Sequence, residues 1–280
     1  MEALGKTRVV VENGKVVEVG EPETEYCPIF DKVRNIKKFN CENVRENIEF
    51  RIADFGIFTE ERSIEMEIFV GFGASETFMT ALRHNLLDTC VTVCDGAGTV
   101  ITSSPKLTQG IGSRISGLVE TTPIPKLIER IEEAGGTVLD KETARIDQCA
   151  GILKAIEMGY KNIGVSVATS ETLKEIRKIE SEYDVNIITF GVHTTGMSAE
   201  DAKEFVEFND MTTGCTSKNI RAAVQDKILA QFGVGIPIYA LTQRGKELLL
   251  ERAKEVESPI LINTQKLPVA PEGKQPYPLV

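Results

Sequence analysis

The sequence predicts an α/β protein with a mainly parallel open sheet, helices on both of its faces, and an N-terminal β-hairpin appendage. Two observations lead to this prediction. Valine-rich arms flank an Asn-Gly turn near the start of the chain, and short apolar segments alternate with helical segments from about residue 70 onward. Strands that alternate with helices of ten or more residues are typical of βαβ units, in which neighbouring strands run parallel.

The N-terminal region begins with a predicted β-hairpin over residues 8–20. Its turn is Asn13-Gly14, a pair that readily adopts the two positive φ angles of a type I′ turn. Residues 26–30 predict a loop or a short edge element, and residues 40–54 predict a helix that stops at Gly56.

The rest of the chain alternates between the two kinds of element. Strands are predicted over residues 89–94, 162–167, 185–192, 210–213 and 236–241, and helices over residues 75–87, 123–134, 142–158, 170–183, 198–208, 217–231 and 242–255. We therefore predict an appendage over residues 1–60, an α/β domain over residues 61–258 with a ligand cleft at the C-terminal ends of its strands, and an extended tail over residues 259–280.

Composition narrows the classes of function. Hydrophobic residues make up 41% of the 280-residue chain and charged residues 26%, which is typical of a globular protein. The net charge of −10 opposes binding to nucleic acids and to anionic membranes. The first residues contain no apolar segment of signal-peptide length, so we expect a cytoplasmic protein. In that reducing compartment the six cysteines are expected to be free thiols or metal ligands.

Small, hydroxyl-bearing and reactive residues follow four consecutive predicted strands. The C-terminal ends of parallel strands form the usual ligand crevice of an open α/β sheet. Helix N-termini there present free N–H groups, which suit a phosphate, carboxylate or sulfonate, so a small anionic ligand is expected. Serine and threonine at such positions are also ordinary helix caps. The candidate ligand-binding residues at these exits are Gly96, Gly98, Thr99, Ser170, Thr194, Thr195, Thr216 and Ser217.

Cys94, Asp95, His193 and Cys215 are the candidate catalytic residues at these exits, and helix capping requires neither His193 nor Cys215. Three interpretations remain open. Cys94, His193 and Cys215 could hold zinc or an iron–sulfur cluster, with Asp95 or Cys27 as a fourth ligand. Alternatively, Cys94 or Cys215 could be a thiolate nucleophile activated by His193. In the third interpretation these residues are neighbours without chemistry, because free cysteine is often a small buried apolar residue.

A glycine-rich stretch over residues 110–117 resembles a dinucleotide-binding fingerprint but fails its spacing. The glycines stand at positions 110, 112 and 117, and no clear strand precedes them. The stretch lies in a long connection between Gly96 and Pro123, and long connections in compact domains are usually functional or disordered. We therefore predict a mobile loop whose Arg114 closes over an anion.

Several strings of residues resemble the methanogenesis marker protein 8 family over nearly the whole chain. They include residues 93–100, 109–125, 143–148 and 192–196, together with the opening hairpin and Tyr26-Cys-Pro28. The resemblance implies an archaeal, anaerobic setting linked to methyl-coenzyme M reductase metabolism, and no established activity. The family's characteristic positions fall on Cys94, Asp95, Gly96, Gly98, Arg114, Glu120, Arg145, Asp147, His193 and Thr194.

Two functions follow as hypotheses. The first is binding of a small anionic ligand, or of a metal or iron–sulfur centre, in a cleft lined by Cys94, Asp95, His193 and Cys215. The second is a non-enzymatic assembly or partner-binding factor for the methyl-coenzyme M reductase system. Glu120, Arg145 and Asp147 either line the same cleft or form internal ion pairs. The sequence leaves open whether the protein is an enzyme.

Overall fold

A computed structural model describes residues 1–68 and 70–280. The strands are β1 (Val9–Glu12), β2 (Lys15–Val19), β3 (Thr89–Cys94), β4 (Gly98–Thr102), β5 (Gly136–Val138), β6 (Asn162–Val167), β7 (Asn186–Gly191), β8 (Met211–Thr213), β9 (Ala230–Phe232) and β10 (Ile238–Ala240). The helices are α1 (Pro28–Arg34), α2 (Cys41–Phe55), α3 (Ala74–Arg83), α4 (Pro105–Gly112), α5 (Pro125–Glu133), α6 (Gln148–Glu157), α7 (Ser170–Tyr183), α8 (Ala199–Phe208), α9 (Lys218–Ala223) and α10 (Gln243–Lys254).

Eight of the strands form one sheet in the order β5-β4-β3-β6-β7-β8-β10-β9. The four central strands β3, β6, β7 and β8 are parallel, whereas β4 and β5 at one edge and β10 and β9 at the other pair antiparallel. The α/β class is thus confirmed, and the sheet is mixed rather than purely parallel, with parallel strands at its centre and antiparallel strands at both edges. The reason is local: three residues separate β3 from β4, and so short a connection joins only antiparallel strands.

Helices cover both faces of the sheet, as predicted. On one face α6, α7, α8 and α9 lie side by side, and on the other α4, α3 and α10 do so. Alternate side chains of the parallel strands pack against the helices on opposite faces of the sheet. Ile187 packs in the core of the first face, while Ile188 and Phe190 pack with Phe78 of α3 on the second.

The connection predicted as a long mobile loop contains β4 and α4. Helix α4 has a clear start signal, because the Ser104 hydroxyl accepts a hydrogen bond from the Leu107 N–H at 3.3 Å and Pro105 occupies the first helical turn. Gly110 is required here by packing, since a Cβ at this position would lie 2.0 Å from the Ile64 carbonyl oxygen. Three further elements, α1, β5 and β9, were also not predicted; α1 lies where a loop or short edge element was expected.

The N-terminal region has a hydrophobic cluster of its own. The predicted hairpin is confirmed, with φ of 50° at Asn13 and 71° at Gly14. Helix α2 begins with a capping box between Asn40 and Asn43 and ends at Gly56. Residues from Ala3 to Ile57 form the cluster, against which Ile236 of the main domain also packs.

The N-terminal region lies over the C-terminal ends of the parallel strands. Glu2 contacts His193 after β7, Thr24 hydrogen-bonds Thr216 after β8, and Arg62 pairs with Asp95 after β3. The crevice that an open α/β sheet usually offers to a ligand is therefore largely filled by the chain itself. No helix in the described ranges has the length and apolarity needed to cross a membrane.

Candidate functional site

The loop over residues 113–117 contains Arg114 and contacts His193, two of the predicted site residues. The Arg62 Nη2 group donates to the Ser113 carbonyl at 3.0 Å, and Arg51 Nη1 donates to the Arg114 carbonyl at 3.1 Å and to the Ser116 hydroxyl at 2.9 Å. Gly117 and Glu2 exchange backbone hydrogen bonds of 2.7 and 2.9 Å. The 113–117 loop is therefore fixed between the N-terminal region and the strand ends.

Asp95 is fully buried, and both of its carboxylate oxygens accept hydrogen bonds. Its Oδ1 accepts from Arg62 Nε at 3.0 Å, and its Oδ2 accepts from the Phe58 N–H. Arg62 is also fully buried. A buried ion pair with supporting hydrogen bonds is strongly destabilised when one partner is removed. Asp95 thus ties residues 58–62 to the end of β3, and its carboxylate is occupied by protein groups.

Cys94 is enclosed in an aliphatic core. It packs with Val100, Leu107 and Leu127, and no part of it reaches solvent. Burial raises the pKa of the Cys94 thiol, and the neighbouring Asp95 carboxylate raises it further, so the neutral thiol is strongly favoured. A solvent-borne ligand has no access to this sulfur in the described conformation.

His193 lies at the exit of β7, against the 113–117 loop. Its Nε2 pairs with the Glu2 carboxylate, and its ring packs directly on Gly117. A Cβ at position 117 would lie 2.3 Å from the ring. The histidine is partly exposed and is held by both the N-terminal region and the loop.

Three arginines form a positively charged group beside the loop. Arg51 is only 8% exposed, and Arg114 and Arg34 are the other cations that act on it. Arg114 stacks over the Phe55 ring at 4.4 Å, and Arg34 stacks over the Phe50 ring at 3.5 Å. We call Arg34, Arg51 and Arg114 the arginine cluster.

Arg51 carries a buried charge without a local counter-ion. Burial lowers its pKa to about 10, and repulsion from Arg114 and then Arg34 adds to the effect. Among the described residues, no carboxylate lies within ion-pairing distance of its guanidinium. Glu76 is the carboxylate that acts on Arg114, and its own oxygens accept from Gln109 and Ser75.

The exit of β8 holds Cys215 in a hydroxyl-rich turn. Its sulfur lies 3.0 Å from the Thr213 hydroxyl, and it is partly exposed. Thr194 donates to the Thr213 carbonyl, and Thr216 donates to Thr195 at 3.0 Å. These threonines bind one another and the backbone, which links the exits of β7 and β8.

The remaining predicted residues have local structural partners. Gly98 approaches the Ala144 carbonyl too closely for any side chain, the Thr99 hydroxyl accepts from the Asp147 N–H at 2.8 Å, and the Gly96 N–H donates to Thr121. Ser217 caps α9, whereas Thr169 rather than Ser170 caps α7. The Ser170 hydroxyl is buried without a hydrogen-bond partner among the described residues.

The three charged residues taken from the family resemblance separate into two places. Arg145 and Asp147 form an ion pair at 3.2 Å. Glu120 lines a cleft of about 950 Å³ between the hairpin and residues 119–124, together with the Met1 amino group. Nowhere in residues 1–68 and 70–280 do three His, Cys, Asp or Glu side chains form a group able to hold a metal ion, so Cys94, His193 and Cys215 are not brought into one set of ligands.

Four residues near these sites were not among the candidates: Arg51, Arg62, Arg221 and, except as an optional fourth ligand, Cys27. All four are buried. No sequence signal distinguishes a buried arginine from the many exposed ones, because the apolar stem and the charged head suit both locations.

Comparison with known proteins places the chain in an archaeal group. A family model described as "Uncharacterized protein conserved in archaea (DUF2099)" matches residues 1–254. The chain is also 51% identical, over 281 residues, to a protein of Methanocaldococcus jannaschii named uncharacterized protein MJ0054. That alignment covers 100% of this chain and 98% of the relative.

Proposed function

The chain belongs to this archaeal DUF2099 family, and on that premise we propose that it binds a small anionic molecule at the arginine cluster. The family match spans the three arginines and the 113–117 loop. The ligand is an anion and Arg114 takes part in binding it, as the sequence predicted. Arg51 is the principal cation of the site. His193 lies on the far side of the same loop, against Gly117.

The observation that carries the proposal is the buried, uncompensated charge of Arg51. A pKa near 10 means that burial and repulsion cost about 3 kcal/mol at neutral pH, at about 1.4 kcal/mol per pKa unit. Buried charges are normally paired because an unpaired one is expensive. An anion held against Arg51 would recover much of that cost, and the same anion would also relieve the repulsion from Arg114 and Arg34.

The surroundings favour a small planar or tetrahedral oxyanion. Arg51 uses Nη1 for both of its hydrogen bonds to the chain, which leaves Nε and Nη2 of this guanidinium without partners among the described residues. Arginine presents its donors in a fork that matches carboxylates, phosphates and sulfonates. The rings of Phe50 and Phe55 stack with Arg34 and Arg114 and give the cluster an apolar wall.

The metal or iron–sulfur form of the prediction receives less support. Its donors would be Cys94, His193 and Cys215, but Cys94 lies in the aliphatic core, and the described residues contain no three-ligand group. A soft metal needs thiolate or imidazole donors within bonding distance of one point. The residues present do not fit such a centre, and an anion site is the better account of them.

The resemblance to methanogenesis marker protein 8 gives the proposal its setting. We propose a cytoplasmic role beside methyl-coenzyme M reductase metabolism. Two observations agree with this: the relative from Methanocaldococcus jannaschii, and six cysteines that are all free thiols, as a reducing compartment favours.

A thermal-shift titration tests the anion site. The full-length protein is heated at pH 7 in phosphate, methanesulfonate or acetate, with chloride as the reference anion at equal ionic strength. One of the three oxyanions should raise Tm, since a ligand at 100 times its Kd contributes about 2.7 kcal/mol of stability. In a chain of this size, 1 kcal/mol corresponds to about 2–4 °C.

Arg51→Gln supplies the decisive comparison. It removes the uncompensated charge but keeps an N–H donor for the Arg114 carbonyl, so its stability in chloride should equal or exceed that of the wild type, and its response to the anion should disappear. Arg45→Gln is the matched control, because Arg45 lies on the same helix, is more exposed and sits near Glu49. An equal response in wild type and Arg51→Gln would contradict the proposal.

A second candidate function is the binding of a protein partner. Residues 260–262 read Ile-Leu-Ile, and Leu261 and Ile262 are 86% and 79% exposed. Exposed aliphatic runs of this kind are typical of interaction sites. The direct test is binding to purified methyl-coenzyme M reductase: Leu261→Asp should abolish it, whereas Val17→Asp, at another exposed aliphatic position, should not. Unchanged binding by Leu261→Asp would reject this candidate.

A further inference from the structure

Cys27 and Cys215, from distant parts of the sequence, lie close enough at the exit of β8 for each thiol to influence the other electrostatically. Thr24 donates to Thr216 at 3.1 Å, which brings the segment before Cys27 against the turn that holds Cys215. On the other side, Arg221 Nη2 donates to the Cys215 carbonyl at 2.7 Å and to the Gly235 carbonyl at 3.0 Å. Gly235 in turn abuts Pro28, the residue that follows Cys27.

Arg221 is a buried cation whose ionisable neighbours are weak acids. It is 9% exposed, and its Nε has no hydrogen-bond partner among the described residues. Burial lowers the pKa of Arg221, and the groups that act in the opposite direction are Tyr239, Cys215 and Cys27. Gln275, a neutral side chain, accepts from Nη1 at 2.6 Å. The ionisable side chains that act on this charge are therefore the Tyr239 hydroxyl and the two thiols.

The two thiols differ in access to solvent. Cys215 is partly exposed, whereas Cys27 is only 5% exposed. Burial raises the pKa of the Cys27 thiol, with Cys215 adding to the effect and Arg221 opposing it. This combination of one accessible thiol and one sheltered thiol beside a cation suits a pair in which one sulfur attacks and the other resolves.

The backbone at Cys215 adds an independent indication. Its φ is 38°, in the left-handed region that residues other than glycine rarely adopt. Such conformations cost of order 1–3 kcal/mol, and they persist where the surrounding structure holds a residue in a required position. Glycine would adopt this φ without strain, yet the residue at this position is a cysteine.

We propose that Cys215 and Cys27 form a thiol–disulfide exchange site whose substrates are small organic disulfides. This site is separate from the arginine cluster, and neither proposal depends on the other.

The exchange balances in two steps. The Cys215 thiolate attacks one sulfur of R–S–S–R, forms a mixed disulfide and releases R–S⁻, which takes a proton from solvent. The Cys27 thiol then loses its proton to solvent, and its sulfur attacks the Cys215 sulfur and releases the second R–S⁻, which is also protonated. Two electrons and two protons pass from the two cysteines to R–S–S–R, which yields two R–SH and one Cys27–Cys215 disulfide.

Peptide mapping with hydroxyethyl disulfide tests the site. The reduced full-length protein is incubated anaerobically with this probe, quenched by alkylation and analysed by intact mass and peptide mass. We expect a Cys27–Cys215 cross-link, two equivalents of released mercaptoethanol, and Cys41, Cys90, Cys94 and Cys149 still alkylated as free thiols. Reduced dithiothreitol should reverse the reaction.

Two cysteine variants separate the two thiols. Cys27→Ser should stop at a stable mixed disulfide on Cys215, and Cys215→Ser should slow the reaction of Cys27 at least about tenfold, because the buried thiol has little thiolate. Cys41→Ser is the control, since Cys41 is also a partly exposed thiol of the N-terminal region, and its loss should leave the cross-link unchanged. A wild-type protein that accumulates a lasting adduct on Cys215, or that reacts first at Cys41, would overturn the proposal.

The contribution of Arg221 is tested through the pH profile of the Cys215 reaction. Arg221→Lys retains the charge and should change the rate at pH 7 by less than about threefold, whereas Arg221→Gln should lower it about tenfold, because a cation near the sulfur favours the attacking thiolate. The two pH profiles should differ. Equal pH profiles in folded Arg221→Lys and Arg221→Gln would show that Arg221 does not contribute to the site. The cross-link test does not depend on the folding of Arg221→Gln.

Discussion

Arg114, His193 and Cys215 share an uncommon backbone conformation at the scale of single residues. Their φ angles are 65°, 57° and 38°. In this region the Cβ of an L-residue approaches a backbone oxygen, so each such residue costs of order 1–3 kcal/mol. All three lie in the 113–117 loop or at the strand exits, where the two proposed sites are. Three of the ten described non-glycine residues with positive φ thus lie beside the candidate chemistry.

Gly117 is the residue on which the packing of His193 depends. Gly117→Ala should destabilise the protein by about 1–3 kcal/mol, because the added methyl group would lie 2.3 Å from the His193 ring and cannot be accommodated without displacing it. Urea unfolding measures the change. Adding His193→Ala to the same chain should restore part of the loss, so the two substitutions should be non-additive.

Gly20→Ala is the control for this prediction. Its added Cβ would have the Arg8 carbonyl oxygen as nearest neighbour at 3.5 Å, an ordinary contact distance. A Gly117→Ala protein as stable as Gly20→Ala would show that the ring is not held against the loop.

At the scale of secondary-structure elements, Asp210 connects the helices α7 and α10 with the strands β7 and β8. It lies at the end of the parallel strands opposite to the proposed sites. Its carboxylate accepts from Arg177 of α7 and Arg244 of α10, both at 2.7 Å, and from the Thr189 N–H of β7 at 2.9 Å. Asp210 itself immediately precedes β8. The network fixes these helices against the parallel strands.

Asp210 should make stability fall in acid. Burial alone would raise its pKa, but Arg177 and Arg244 outweigh burial and lower it. A carboxyl whose pKa is lower in the folded state stabilises the fold above the unfolded value of about 3.9, and this stabilisation is lost as pH falls from there toward the folded value. Asp210→Asn should cost about 3–5 kcal/mol at pH 7, because it leaves the buried ends of two arginines without their carboxylate.

The measurement is unfolding free energy against pH between about 5 and 2. Asp210→Asn should lose less stability than the wild type over this range, since one proton-linked group has been removed. Asp54→Asn, at an exposed position of α2, should follow the wild-type curve. If the unfolding free energy of Asp210→Asn fell with pH as steeply as that of the wild type, the Asp210 carboxyl would be excluded as a source of the acid sensitivity.

At the scale of the whole molecule, both ends of the chain converge on the exits of the parallel strands. Tyr26 and Tyr277 bridge through their backbones and stack at 5.0 Å, and the Val280 N–H donates to the Thr216 carbonyl at 3.0 Å. Gln275 reaches Arg221 in the same region. The C-terminal residues, predicted as part of an extended tail, thereby close against the exit of β8, beside Thr216 and Arg221.

Tyr277→Ala should loosen this closure without unfolding the domain. A stacked aromatic pair contributes about 0.5–1.5 kcal/mol beyond its buried area, so residues 270–280 should exchange amide hydrogens faster, and Cys215 should react faster with hydroxyethyl disulfide. Hydrogen-exchange mass spectrometry measures the first effect. Tyr183→Ala, at a partly exposed tyrosine on α7, should change neither. Unchanged exchange in Tyr277→Ala would mean that the stacked rings do not hold the tail.

Much of the architecture could be predicted because its signals are local. Asn13-Gly14 sets the hairpin turn, Gly56 ends α2, and the succession β6-α7-β7-α8-β8 follows from apolar periodicity and turn residues. Strands β4, β5 and β9 of the antiparallel edges were missed, whereas β10 was predicted as part of a longer apolar segment. Strands β5 and β9 have three residues each, and a segment that short becomes a strand only because a neighbour pairs with it.

The candidate site likewise has a part that could be predicted from the sequence and a part that could not. By itself the sequence determined which reactive residues follow which strands, and it made Arg114, His193 and Cys215 candidates, since identity and order along the chain suffice for that. Only the tertiary structure decided that Cys94 and Asp95 are buried, that Arg51 lacks a counter-ion, and that Cys27 lies beside Cys215. Burial and the pairing of charges depend on contacts between residues far apart in sequence, and these set the pKa of a thiol or a guanidinium.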